Sequence, residues 1–179
     1  MEMISDREHI LLAVIDRLRI IRATDAAWLA GYTDYTYCRK CLRKLCDMGL
    51  LQICRDSAGS NCYYLSGRGL AVLGKQTSHT YEVSATTHHA LVVGRVCAWL
   101  RHTEGASPGE LLTDSVLRSK GDKQRHRPDI VFRGHAYEIE LNHKPLSLLE
   151  KNIRDNSSYQ KQIWITPDNR PSIARNLHS

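Results

Sequence analysis

No apolar run in this chain approaches the roughly 18–20 residues that a membrane span requires, so no membrane partner is expected. The N-terminal MEMISDREH has no basic start followed by an apolar stretch, which argues against a secretory signal. Without an export signal, the six cysteines read as reduced thiols of a cytoplasmic protein. Cys38 and Cys41 form a C-x-x-C, but no second such pair and no H-x-x-x-H completes a tetrahedral zinc set. Blocks of like charge, heptad arrays and repeats of 20–50 residues are missing too, which sets aside charged tails, coiled coils and solenoids. There is no H-x-H pair, no G-x-S-x-G elbow, no G-x-x-x-x-G-K-[ST] loop and no G-x-G-x-x-G turn. Serine hydrolase, P-loop and dinucleotide chemistries therefore fit this chain less well.

What remains is ordinary globular material: 179 residues, 42% hydrophobic and 25% charged. That length suits one domain or two compact ones. The net charge of +6 favours a polyanionic partner, and it is spread evenly. Residues 1–75 carry 11 Lys and Arg against 8 Asp and Glu, and residues 76–179 carry 14 against 11. The polar stretch KQTSHTYEVSATT, residues 75–87, has no helical periodicity and marks the expected boundary. Domains are therefore expected at 1–75 and 85–168, with a C-terminal tail at 169–179.

The first half reads as three helices and a hairpin. Ser5-Asp6-Arg7-Glu8 is a capping box, followed by Leu11, Val14, Ile15 and Leu18 on one stripe. Thr24 is the expected cap of the short run DAAWLA, ended by Gly31. Thr33 or Asp34 opens a third helix reaching about Met48, with Cys38, Leu42 and Leu45 inward and Thr36, Arg39, Lys40 and Arg43 outward. LLQICRD and NCYYLS then flank the turn Ser57-Ala58-Gly59-Ser60. This is the order of a winged helix-turn-helix, whose third helix enters the major groove of double-stranded DNA. Arg55 on the hairpin would reach the backbone or minor groove. The bland alternatives are a solvated helix face or a protein-interaction module. The cysteines coincide with apolar stripes, and Cys54 and Cys62 are placed to face each other across the hairpin.

The second half carries the sharper chemical signal. His88 to His102 shows a stripe of Ala90, Leu91, Gly94, Cys97 and Ala98, predicting a helix on a sheet. In HRPDIVFRGHAYEIELNHK, Pro128 starts a strand over Asp129–Phe132, and Ala136–Leu141 alternates as a second. Glu138 and Glu140 are two apart and share a face. Pairing of the strands brings Asp129 beside Glu138, so up to three carboxylates cluster as hard divalent cations require. Ser147-Leu148-Leu149-Glu150 reads as a capping box opening a helix, and QIWIT as a buried strand.

Pro128-Asp129 followed by Glu138-Ile139-Glu140 resembles the PD-(D/E)xK nuclease signature on a restriction-endonuclease-like fold. A winged helix followed by this core resembles the replication-relaxation family and the MobC-type plasmid mobilisation proteins. Gly49-Leu50-Leu51, Tyr64-Leu65 before Gly67, Arg127-Pro128-Asp129 and Glu138-Ile139-Glu140 carry the resemblance, over about residues 5–168. It implies an α+β chain with a winged helix ahead of a small α/β nuclease-like domain. It also implies Mg²⁺ or Mn²⁺ held by Asp129 and Glu138, with Asp114, or else Glu110, as the preceding acid. Glu140 stands where the signature carries Lys and would activate water, and Lys144 would replace the missing amine. A solvated strand face paired with Arg127, Arg133 or Lys144 is the structural alternative for these acids.

Two functions remain open from the sequence. One is a metal-dependent endonuclease or nickase of plasmid mobilisation or replication. The other is a non-catalytic DNA-binding accessory factor or transcriptional regulator with a degenerate nuclease fold. Expected partners are double-stranded DNA, a second copy of the chain in a homodimer, or relaxosome proteins.

Overall fold

A computed structural model describes residues 3–76, 81–121, 126–142 and 144–167; the expected tail at 169–179 lies outside them. The chain is a mixed α+β protein with two small sheets, divided into units Met1–Pro108 and Gly109–Ser179.

In the first unit, α1 (Asp6–Leu18) starts at the capping box anticipated above. The Glu8 N–H donates to Ser5 Oγ at 3.3 Å, and the Ser5 N–H donates to Glu8 Oε2 at 2.9 Å. A three-residue strand that the periodicity did not reveal, β1 (Ile20–Arg22), follows at once. Its extended last residue, Arg22, is the cap of α2 (Ala23–Leu29), so Thr24 lies inside the first turn instead of capping it. Asp34 opens α3 (Tyr35–Asp47) by accepting the Thr36 N–H at 2.7 Å. β2 (Leu51–Arg55) and β3 (Asn61–Leu65) form the hairpin, with Cys54 directly opposite Cys62. Asp56 holds its tip by accepting the N–H groups of Ala58 and Ser60 and pairing with Arg22 at 2.7 Å. The sheet runs antiparallel in the order β1-β3-β2.

Ser66 caps α4 (Gly67–Val72), which begins three residues earlier than the run LAVLGK suggests. Gly69 is required there, because a β-carbon would fall 2.2 Å from the Leu50 carbonyl oxygen. The largest departure is α5 (Thr87–Glu104). The boundary expected within 75–87 would assign it to the second domain, yet it belongs to the first unit. Leu91 packs into one core with Ile20 and Cys62, flanked by Cys54 and Tyr64 of the hairpin. Arg95 pairs with the buried Asp25 at 2.6 Å, and Arg101 donates to the Trp28 carbonyl at 2.7 Å. Tertiary burial therefore places the division after Pro108.

The second unit holds β4 (Leu112–Thr113), α6 (Asp114–Ser119), β5 (Ile130–Phe132), β6 (His135–Ile139), α7 (Leu146–Asp155) and β7 (Lys161–Ile165). Its sheet has the order β4-β5-β6-β7; the first two pairings are antiparallel, and β6-β7 is parallel across α7. The β5–β6 turn is the two-residue kind that needs positive φ at both positions, supplied by Arg133 (49°) and Gly134 (77°). Helix α7 begins at Leu146 with Pro145 as its cap, so Ser147 and Glu150 do not form the expected box. Thr113 occupies the cap position of α6, and Asp114 is its first residue. The central strand is covered on both faces: Tyr137 and Ile139 are buried, and so are Glu138 and Glu140. The solvated strand face offered as the structural alternative for these acids gives way to an enclosed strand.

Candidate functional site

Asp129 and Glu138 meet as the strand pairing requires. The β5–β6 register sets Ile130 against Tyr137, so Asp129 and Glu138 stand one step beyond it. Asp129 Oδ2 accepts the Ile139 N–H at 2.7 Å, which fixes the carboxylate against β6. Glu138 is 3% exposed, and its Oε1 accepts from Asn156 Nδ2 at 2.6 Å and contacts His126 Nε2 at 2.9 Å. Burial pushes the Glu138 carboxyl above the usual carboxylate range, and the Asp129 charge adds to that; His126 and Asn156 oppose it. The hydrogen bond to Glu138 raises the His126 imidazole in turn, against its own partial burial. His126 is thus placed to balance the acids when its imidazole is protonated.

Glu140 is 2% exposed and lies just past β6, its N–H continuing the ladder to the Ile165 carbonyl at 2.9 Å. Its carboxylate pairs with Lys144 at 2.5 Å and accepts the Asn142 N–H at 3.2 Å. Lys144 lies close enough for its charge to act on His126, so the amine joins the cluster through Glu140. Asp114 arrives through the backbone, its N–H donating to the Asp129 carbonyl at 3.3 Å. Its carboxylate oxygens are spent on Arg127 at 2.6 Å and Arg118 at 3.1 Å. Glu110 is exposed.

The donor set decides how well a divalent ion suits this arrangement. Mg²⁺ keeps a near-octahedral oxygen shell. Among the described residues, no three His, Cys, Asp or Glu side chains are grouped so as to hold a metal ion. Glu138 Oε1 already carries two partners, and Asp114 and Glu140 are engaged by Arg127 and Lys144. As arranged, the residues do not fit the ion. Motif spacing had no means of flagging His126 or Asn156. The first stands two residues before Pro128, and the second ends α7, 18 residues beyond Glu138.

The first unit presents a basic helix face. Thr36, Arg39, Lys40 and Arg43 are exposed on α3, and the Arg39 guanidinium lies 5.9 Å from the centre of the Tyr35 ring. Opposite them, Cys38, Cys41, Leu42 and Leu45 are buried, which explains the cysteines as core residues of this helix. Lys44 differs from its neighbours: it pairs with the buried Glu8 at 3.0 Å and ties α3 to α1. Arg55 is exposed at the end of β2, beside the tip that Asp56 holds.

In comparisons with known proteins, no protein-family model and no curated protein sequence matches this chain.

Proposed function

We propose that the chain is a double-stranded DNA-binding protein, a winged helix joined to a nuclease-like core, serving the mobilisation or replication of a mobile element. The observation that carries DNA binding is the exposed set Thr36, Arg39, Lys40 and Arg43 on α3. That helix is followed by a hairpin whose sheet has the order β1-β3-β2. The strand between α1 and α2, pairing with β3, supports the winged-helix reading, because it holds the helices and the wing in one frame. An antiparallel β4-β5-β6 meander, a helical crossover and a parallel β7 support a nuclease-like core. Engagement of Glu138 by His126 and Asn156 favours a core that serves as a binding or assembly platform.

The test is duplex binding by the Arg39→Ala/Arg43→Ala double variant across a salt series. Affinity should fall, and the slope of log K against log salt should flatten by about one phosphate per lost contact. Unchanged affinity and slope would leave α3 as a solvated face.

A second reading, metal-dependent nicking, is favoured by one feature. Asn156 is fully buried, and its Oδ1 accepts no hydrogen bond among the described residues. An orphaned acceptor beside the Glu138 carboxylate suits a cation, provided His126 leaves Glu138. Millimolar Mn²⁺ should then raise the melting temperature by mass action, and Glu138→Ala should abolish the rise. No shift in the wild type would discard this reading.

A further inference from the structure

Cys54 and Cys62 lie directly opposite each other on β2 and β3. The Asp56 N–H donates to the Ser60 carbonyl at 3.0 Å at one end of the hairpin, and the Ser66 N–H to the Leu50 carbonyl at 3.0 Å at the other. Antiparallel ladders alternate with period two, so Cys54 and Cys62 occupy a hydrogen-bonded position. α-Carbons at such a position are about 5.5 Å apart, within the roughly 4.4–6.8 Å that disulfides span. The opposed β-carbons, about 4.5–5.5 Å apart, must close by up to about 1 Å to reach the roughly 3.5–4.5 Å of the bond. Their side chains share the sheet face that meets Ile20 and Leu91. The Cys62 thiol is fully buried and donates to the Ser60 carbonyl at 3.5 Å, whereas Cys54 is half-buried beside exposed Arg55. No other two cysteines among the described residues face each other across a ladder: Cys38, Cys41 and Cys46 are on α3, and Cys97 is on α5.

We propose that Cys54 and Cys62 are a redox modification site, at which a hydroperoxide converts the two thiols into an intrachain disulfide across the hairpin. Burial, with the Asp56 charge, pushes both thiols up. The attack on the peroxide therefore runs through the minor thiolate of Cys54, the more accessible of the two: an S–O bond forms, the O–O bond breaks, and sulfur is oxidised to a sulfenic acid as the peroxide leaves as alcohol or water. Cys62 then attacks the Cys54 sulfur; the S–S bond forms, the S–O bond breaks and water departs with the thiol proton. Two thiols and one hydroperoxide thus give one disulfide, one alcohol or water, and one further water. A dithiol reverses the bond by exchange and is itself oxidised. The bond staples the strand that ends at Arg55.

The experiment treats the full chain with hydrogen peroxide, blocks remaining thiols with an alkylating agent and maps the peptides without reduction. The expected result is a Cys54–Cys62 linked peptide, a chain lighter by two hydrogens, and restoration of both thiols by dithiothreitol. In Cys54→Ser, Cys62 should stay an alkylatable thiol. Wild-type protein with both cysteines alkylated after peroxide, with Cys54 as sulfinic acid, or with linkage to other cysteines or another chain would overturn the proposal. The wild-type map decides the matter even if the variant folds poorly.

Discussion

His126 Nε2 stands 2.9 Å from Glu138 Oε1, where a protonated imidazole gives a 3%-exposed carboxylate its counter-charge. A buried ionised acid without a partner costs several kcal/mol. Once protonated, the imidazole does in this core what a bound cation would do for a bare cluster of acids. The first prediction follows from the direction of the two shifts.

Glu138 and His126 are both raised in the folded state. A raised group contributes stability that is full below its unfolded pKa and is lost as pH rises through the folded value. For His126 the loss begins above about pH 6.5; for Glu138 it lies lower, above the ordinary carboxylate range. His126→Gln should cost about 1–3 kcal/mol at pH 6, and the gap to wild type should narrow by pH 8.5. Chemical denaturation at the two pH values measures this; a gap independent of pH would mean that the imidazole is neutral.

Two neighbouring cations on α3 should behave differently. Lys44 pairs with Glu8, which is 4% exposed, whereas Arg43 is exposed. Burial pushes the Glu8 carboxyl up, but the hydrogen bonds from the Ser5 N–H, Lys44 and the Ser5 hydroxyl, with the Lys44 charge, outweigh it and hold the group below its usual range. Its stabilisation is therefore present at neutral pH and lost as pH falls through the lowered value. Lys44→Ala should destabilise by about 1 kcal/mol near neutrality and blunt the acid sensitivity, while Arg43→Ala should stay within about 0.5 kcal/mol. Equal effects on melting would contradict the Glu8 pairing.

Gly69→Ala tests the close approach at the head of α4. The added methyl would sit 2.2 Å from the Leu50 carbonyl oxygen, a backbone atom with little room to move. The Ser66 hydroxyl bonds the Gly49 carbonyl at 2.7 Å and fixes the same corner. A loss of about 1–3 kcal/mol is expected in denaturant unfolding, as for other overpacked sites. A neutral result would require α4 to move away from Leu50.

The two serine–glutamate pairs separate real capping from apparent capping. Ser5→Ala should cost about 1 kcal/mol, because the Ser5 hydroxyl accepts the Glu8 N–H. Ser147→Ala should change stability by less than about 0.5 kcal/mol, since Pro145 is the cap of α7. Comparable losses in both variants would place a working cap at Ser147.

Local chemistry was enough wherever a segment's own residues decide its conformation. The Ser5–Glu8 box, the Asp34 cap, the buried stripe of α3 and the Arg133-Gly134 turn are each specified within a few residues. The meeting of Asp129 with Glu138 was legible for the same reason: a tight turn and a period of two fix the register of β5 against β6. The outward basic set on α3 followed from helical spacing alone.

Other features depended on partners distant in the chain. β1 is three residues long and exists because β3 pairs with it; nothing in Ile20–Arg22 demands a strand. Helix α5 has the same stripe whichever unit it joins; the core with Ile20 and Cys62 and the bonds of Arg95 and Arg101 to α2 hold it in the first. Glu138 and Glu140 share a strand face in the sequence, but burial gave one to His126 and Asn156 and the other to Lys144. Periodicity shows which residues lie on a common face; which groups neutralise a buried charge is decided by what tertiary packing brings within hydrogen-bonding distance.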